Sequence, residues 1–547
     1  MAAIVSSNFR VVNSSNFKED VENSAVYVGI GKGDVWSNTL SDTTDESTAP
    51  NPGDHLDEEG RARSNLIGVK KVASTNISHV TNRHTWDGAT AYVPWDSNDS
   101  DIFDKKFYAV TNEFKVYKCI VAGSSVSTQQ PTQTLTQPQA ESDGYVWKFM
   151  YTISVTDAEK FLTNSYMPVK TVSLGATATV AVASSTTTIV LTETVPEIVV
   201  GMTVSGTNVG SGKTVSAING SVLTLSGTPS GSVSGILTFA YANDAAAEAS
   251  LSEADFAQYL NQKASRDSST AAGIERIEVT AAGSSFSSKP NVVITGDGTG
   301  ATVAAGNITM AGSGSSQTVS SITIQNKGSD YRFADISITG GGGSDATARA
   351  VIAPKAGHGV DPVAELGGFF ISLNSKLDGN DGGDLTVGND FRQITLFNEP
   401  RVFNSTPLAG LLATADTLKG TKALDFNSSA NVSNYVIDEL LVGGTSGAQA
   451  YVVEIDTSNG FVRYHQNSKT GYKSFTTGEV VTGQTSSNAG TLEANASNQV
   501  SGITYIADAV VAPEVDRHSG DILFLENRNP INRTTSQIED IKVIIEF

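Results

Sequence analysis

Asp516-Arg517-His518-Ser519-Gly520-Asp521-Ile522-Leu523-Phe524-Leu525-Glu526-Asn527-Arg528-Asn529-Pro530, followed shortly by Ile541-Lys542-Val543-Ile544-Ile545-Glu546-Phe547, is the stretch on which the reading of the fold turns. The first part predicts a strand over Ile522 to Glu526, an apolar run between a Ser-Gly-Asp turn and an Asn-Arg-Asn-Pro breaker. The second places Ile541, Val543, Ile545 and Phe547 on one face and Lys542, Ile544 and Glu546 on the other, the period of a half-buried strand. A core-facing Phe547 predicts a terminus tied into a sheet rather than a solvated tail.

Composition bounds the rest. A chain of 547 residues is too long for one hydrophobic core, so several domains are expected. With 51 Gly against 15 Pro, abundant Ser and Thr, and 17% charged residues, it has the makeup of a turn-rich β protein. No apolar run approaches the ~18 residues of a membrane-spanning helix. No basic segment leading into an apolar one opens the sequence, which predicts a chain made and kept in the cytosol unless an assembly carries it out. The single cysteine, Cys119, excludes an internal disulfide framework and a Cys-based zinc site, and its place in Phe114-Lys115-Val116-Tyr117-Lys118-Cys119-Ile120-Val121 predicts a core strand residue. A net charge of -21, with no cluster of five or more Lys/Arg, argues against nucleic acid as a ligand, because phosphate binding needs a cationic surface to displace counterions.

Along the chain, residues 1–173 alternate strands and loops. Asn8 to Val12 and Ala25 to Ile30 are strand-like. Lys105 to Val110 and Lys115 to Val121 read as a hairpin around Thr111-Asn112-Glu113, and Tyr145 to Ile153 as an aromatic-rich strand. Ser41 to Asp57 reads as an exposed acidic loop. Thr156-Asp157-Ala158-Glu159 has capping-box spacing before a short helix. Residues 174–244 lose their aromatics and read as an inserted β module, with strands at Val199–Gly206, Lys213–Ile218 and Ser221–Ser226. Within 245–272, Ala245 to Lys263 reads as one helix.

Two internal duplications follow. In 273–355, Ile277-Glu278-Val279, Gly283, Pro290 to Ile294 and Ala301 to Ala304 are echoed about 45 residues on by Ile322-Thr323-Ile324, Gly328, Asp335 to Ile338 and Ala346 to Ala350. In 431–499, Glu439-Leu440-Leu441-Val442-Gly443-Gly444-Thr445-Ser446 returns as Glu479-Val480-Val481-Thr482-Gly483-Gln484-Thr485-Ser486. Modules whose ends return close together are tolerated as insertions. The expected fold is therefore all-β: an antiparallel β-sandwich core from 1–173, 356–430 and 500–547, with short helices in loops and three inserted β-rich modules.

The run RHSGDILFLENRNPINR, the Gln-Ile-Glu-Asp-Ile turn and the alternating terminal strand resemble the end of the baseplate wedge protein encoded by gene eight of T4-type contractile-tailed phages. Asp143 to Tyr151, Asn164 to Val169 and Asp390 to Leu396 resemble the same family in the same order, and with the start of the chain these stretches account for roughly 300 residues; the segments between do not resemble it. The resemblance implies a non-enzymatic virion protein assembled in the host cytoplasm, without cofactor, nucleic acid, membrane or small-molecule substrate. It implies a rigid homodimer in each baseplate wedge, bridging the products of genes six, seven and ten. It also singles out Tyr145, Trp147, Phe391, Arg392, Arg517, His518, Phe524, Glu526 and Arg528 as interface or core-bracing residues.

Chemical motifs are weak. Gly206-Thr207-Asn208-Val209-Gly210-Ser211-Gly212-Lys213-Thr214 misses phosphate-loop spacing and runs into a strand, and Gly29-Ile30-Gly31-Lys32-Gly33-Asp34 lacks the full dinucleotide spacing; both predict turns. His79 and His84 stand five apart, which suits neither one helix face nor one strand face. Asp378, Asn380, Asp381 and Asp384 form an acidic loop that is a weak Ca²⁺ candidate lacking the closing Glu. Asp516, His518, Ser519 and Asp521 contain hydrolase residue types, but no nucleophile-elbow pattern accompanies them. The rival to a structural role is a host-surface glycan binder using Tyr331, Tyr451, Tyr464 and Tyr472. A polysaccharide hydrolase would need two placed carboxylates, and no recognisable pair stands out.

Overall fold

The computed structural model describes residues 4–37, 44–45, 48–269, 272–378, 385–406, 408–429, 432–534 and 537–547. Strands take 39% of the chain and helices 14%, so the protein is all-β in class. Where the sequence suggests one discontinuous core, the chain collects into two compact units. One comprises Met1–Glu19, Ser78–Ser372 and Ile545–Phe547; the other comprises Asp20–Ile77 and Leu373–Ile544.

In the first unit the expected hairpin is present. Tyr108–Val110 pairs with Lys115–Val121, which pairs with Val146–Thr152, in the register Tyr117↔Phe149 and Cys119↔Trp147. Alternation sends Tyr117, Cys119, Trp147 and Phe149 into one apolar cluster with Tyr92 and Tyr145. Val116 and Met150 go into another with Phe107, Tyr108 and Tyr151. Cys119 is buried as expected, and burial pushes its thiol pKa up to about 12, so it is inert.

Three local expectations fail for identifiable reasons. Asn8 to Val12 is not a strand but part of the helix Ser7–Asn23. Ser6 Oγ accepts the Phe9 N–H at 3.3 Å, and Ser14 and Val21, two turns apart, are buried; the five-residue window was too short to expose that period. Ala245 to Lys263 is two helices, Asp244–Ser250 and Glu253–Ser268, because Ser252 caps the second by accepting the Asp255 N–H at 3.2 Å. The short helix Val155–Phe161 is capped by Ser154, not Thr156, with the Asp157 N–H donating to Ser154 Oγ at 3.0 Å.

The inserted module near 174–244 is a six-stranded sheet, with Ala176–Val182 pairing Ile236–Ala240 and Thr188–Leu191. The tandem repeat interleaves its two copies. Asn291–Gly296 of the first copy pairs with its counterpart Ala334–Thr339. Ile274–Ser284 of the first copy pairs with Ser344–Ile352 of the second, while Thr299–Thr302 of the first pairs with Asn326–Ser329 of the second. This is a pseudo-twofold exchange. Gly283 (φ 65°) and Gly328 (φ 63°) occupy equivalent bends, each pressed against backbone of the opposite copy, Ser344 O and Ala346 N or Thr299 O and Ala301 N. A Cβ at either would meet those atoms well inside van der Waals contact.

In the second unit the host sheet has Val26–Gly31 at its centre, between Leu66–Lys71 and Asp390–Asn398; Asp521–Asn532 pairs with the latter at the edge. The carboxyl-terminal stretch thus joins a sheet built on the first hundred residues. Its strand runs through Asn527-Arg528-Asn529-Pro530 rather than breaking there. The strand is an edge and the register shifts between Phe391↔Ile531 and Gln393↔Asn527, so Pro530 costs no ladder bond that a flat central strand would need.

The last module is wider than 431–499. Lys422–Asp425 and Val510–Val511 join its eight-stranded sheet. In all three modules the first and last strands pair with each other, as Ala176↔Phe239, Ile274↔Ile352 and Leu424↔Val510.

The forty-residue duplication is again reciprocal. Leu440–Gly443 pairs with Val480–Gly483, and each copy's buried glutamate closes the other's turn. The Glu479 carboxylate accepts from Thr445 N (2.9 Å), Ser446 N (2.8 Å), Ser446 Oγ (2.8 Å) and Thr476 N (2.6 Å). Glu439 accepts from Thr485 N (3.2 Å), Ser486 N (2.9 Å), Ser486 Oγ (2.9 Å) and Val436 N (2.6 Å). Both Glu-to-Ser spacings were visible as a repeat; the crossing of the carboxylates was not.

Candidate functional site

Two of the residues the resemblance singled out brace the first unit. Trp147 is fully buried and stacks on Tyr145 (centroids 5.8 Å, 18°), while Tyr92 packs edge-on against Trp147 at 5.1 Å. Tyr145 Oη donates to Ser125 O at 2.6 Å. On the opposite face of the same sheet, Lys118 and Lys148 lie directly across from one another on paired strands, both buried. Like charges so placed repel. Glu365 answers them: it ion-pairs with Lys118 and accepts the N–H groups of Gly359 (2.8 Å), Val360 (3.0 Å) and Asp361 (3.2 Å). Lys148 donates to Phe149 O (2.8 Å) and Ser265 Oγ (3.1 Å), and burial lowers its pKa to about 8. His358 stands edge-on to Trp95 and 3.6 Å from Glu275; burial lowers its pKa to about 4, so it is neutral at pH 7.

In the second unit Phe391 is buried and Arg392 is a brace. The guanidinium of Arg392 grips Asp45 in two parallel bonds (2.7 and 2.8 Å), donates to Gly33 O (2.8 Å) and lies 3.1 Å from Asp390. The Gly29 to Asp34 segment, expected as a turn, stays in the strand Val26–Gly31 as far as Gly31 and bends only at Lys32 (φ 61°), where its charged residues turn inward. Lys32 contacts Asp34 at 2.7 Å, Lys469 reaches the same carboxylate at 3.3 Å, and His465 Nε2 is 3.7 Å away, too far for a hydrogen bond. Burial works against the Asp34 charge, yet His465 and Lys32 outweigh it and hold the carboxyl far below the usual range. Nearby Asp438 is raised to about 6 by burial and by Asp390. The sequence signal was a Lys-Gly-Asp at a strand end; its partners sit more than four hundred residues away.

In the carboxyl-terminal stretch, hydrogen bonds of Asp516 and Ser519 shape the turn. Ser519 Oγ donates to Asp516 O (2.6 Å) and accepts from Arg401 N (2.8 Å), while the His518 backbone N–H reaches Asp516 Oδ1 (3.0 Å). Arg517 donates to Ser64 O (2.9 Å), and Arg63 in return donates to the carbonyls of Arg517 (3.0 Å), Ser519 (2.9 Å) and Gly520 (2.7 Å). Phe524 and Glu526 are half-buried edge-strand residues opposite Leu396 and Ile394. Exposed Arg528 stands 3.6 Å from Glu526 and accepts the Trp36 indole N–H on its carbonyl at 2.8 Å.

Asp378 ends the strand Phe370–Asp378, and Asn380, Asp381 and Asp384 of the Ca²⁺ candidate lie outside the described residues. Among the described residues no group of three His, Cys, Asp or Glu is placed to hold a metal ion, and no helix is long and apolar enough to cross a membrane. Of the four tyrosines set aside for glycans, Tyr331 and Tyr464 are core residues, Tyr451 stacks on His465 at 5.5 Å, and Tyr472 is 62% exposed.

Beside the Lys32–Asp34 cluster the second unit opens into a cleft of about 450 Å³. Its floor comes from the host sheet (Gln393, Asn527), one wall from the helix Leu56–Ser64 and Asn65, and the other from Asn467 to Tyr472 of the last module. Gln393 Nε2 donates to Asn527 Oδ1 at 2.8 Å, and Asn527 Nδ2 to Glu58 Oε1 at 3.4 Å. A smaller pocket of about 170 Å³ adjoins it through Tyr472 and holds Lys422, Arg517 and His518.

No protein-family model matches the chain, and no curated protein matches it significantly.

Proposed function

We propose that the chain is a non-catalytic structural subunit of the baseplate wedge of a contractile-tailed phage, a rigid dimeric spacer of the gene-eight type that bridges neighbouring wedge proteins in the virion. One observation carries the reading. The four stretches that resemble the family lie on paired strands of the host sheets, at Val146–Thr152, Tyr166–Pro168, Asp390–Asn398 and Asp521–Asn532, whereas the three inserted modules each build a sheet of their own.

The singled-out residues Tyr145, Trp147, Phe391 and Arg392 are buried braces, and Arg517 and Ser519 at the turn donate to main-chain carbonyls. That is the makeup of a load-carrying part with its chemistry turned inward. By the resemblance its partners are a second copy and the products of genes six, seven and ten. Sedimentation of the purified chain tests the first step: the proposal expects a dimer with an interface on the order of 1,600 Å² or more. A strictly monomeric chain that fails to co-assemble with other tail proteins contradicts it.

A further inference from the structure

The cleft of the second unit carries polar atoms that folding alone leaves without a use. Gln393 is 1% exposed and Asn467 4% exposed, and both line the cleft. Gln393 Oε1, an acceptor, and Asn467 Nδ2, a donor, find no partner among the described residues. Buried polar atoms without partners are destabilising, so two at one cleft point to a ligand that supplies both a donor and an acceptor.

The composition of the walls narrows the class. Five carboxamides converge there, Asn51, Asn65, Gln393, Asn467 and Asn527. A carboxamide presents a donor and an acceptor side by side, the complement of a hydroxyl, which is both. The lining charges are two cations, Lys32 and Arg61, and two carboxylates, Asp57 and Glu58. Arg61 and Asp57 pair at 2.8 Å and Lys32 is held by Asp34 behind the wall, which leaves the Glu58 carboxylate, an acceptor for hydroxyls that disfavours anions. Two aromatic rings, Trp36 and the exposed Tyr472, supply apolar faces of the kind that pack against the C–H face of a pyranose. The volume lies within the range of small-ligand sites.

We infer that this cleft binds a neutral saccharide, a short segment of a glycan chain whose hydroxyls meet Gln393, Asn467 and Asn527 and whose ring lies against Tyr472. The site joins the host sheet to the last inserted module, so the module builds a binding surface that neither part has alone. The inference does not rest on the baseplate reading, and a wedge subunit without the cleft's activity would remain a wedge subunit.

Isothermal titration of the full chain with neutral oligosaccharides of glucose, galactose and N-acetylglucosamine tests it, with polygalacturonate and inositol hexakisphosphate as anionic controls. At least one neutral member should bind with a Kd of about 1 mM or tighter. Tyr472→Ala removes an exposed ring and leaves the core intact; it should weaken binding about tenfold. Ser468→Trp, at an exposed lining position, should plug the cleft and abolish binding. Absence of heat with every neutral member at ~10 mM overturns the inference. So does a preference for the anionic controls, or binding unchanged in both variants.

Discussion

The reciprocal glutamates of the last module give the sharpest stability prediction. Glu479→Ala deletes an acceptor for four donors, three of them backbone N–H groups in turns of a buried face. Bonds to a charged group contribute ~1.5–3 kcal/mol each, and an orphaned buried N–H costs ~1–3 kcal/mol. Water reaches some of the freed groups once the side chain is gone, so the local loss is set at about 3–4 kcal/mol rather than the full sum. That corresponds to ~100- to 1,000-fold faster amide exchange.

Hydrogen exchange by mass spectrometry on the full chain reads this directly, because it reports local opening without requiring a two-state transition of a two-unit protein. The acceleration should cover both turns, 440–447 and 480–487, since the two strands pair. Opposing burial, the N–H donors of Ser446 and Thr476 hold the Glu479 carboxyl below its ordinary pKa of 4.5. The stabilisation is therefore complete above pH 4.5 and is lost as pH falls through the folded value. Unchanged protection in Glu479→Ala, or loss confined to 440–447, would refute the reciprocal cradle.

Further outcomes follow from the same geometry. Gly283→Ala and Gly328→Ala should each destabilise the tandem repeat by about 2–4 kcal/mol, and by similar amounts, as read by limited proteolysis within 273–355. Ser487 sits at φ 58° where its counterpart Gly447 sits at φ 63°, so Ser487→Gly should stabilise the module by about 0.5–1 kcal/mol in exchange measurements. Arg392→Lys should cost about 2–4 kcal/mol, because an ammonium cannot make the paired bonds to Asp45, and the loss should appear as faster exchange at Gly33 to Trp36. Lys148 has a folded pKa of about 8 against an ordinary 10.5, so thermal stability should rise with pH across that interval; Lys148→Met should flatten the rise and stabilise at pH 7 by about 1–3 kcal/mol.

Much of this architecture was legible because its signals are local. Period-two runs gave the hairpin at Tyr108–Val121, and fixed offsets gave both duplications. Helices were the weak point: Ser6, Ser154 and Ser252 place the caps, and each competes with neighbouring Ser or Thr that look equivalent in sequence. The strand through Pro530 was hidden because edge position and bulge are properties of the partner strand. The cleft was invisible for the same reason. Gln393 and Asn467 stand 74 positions apart in sequence, and Gln393 Oε1 and Asn467 Nδ2, which lack a partner among the described residues, come to one cleft only when an insertion folds against its host.

The central claim is tested most directly by reconstructing the intact phage tail tip in which the proposal places this chain. The account predicts paired copies in every wedge, with the two host units traceable and wedge proteins docked on them. Density that places the chain at a fibre tip, or a complete baseplate that lacks it, would contradict the account.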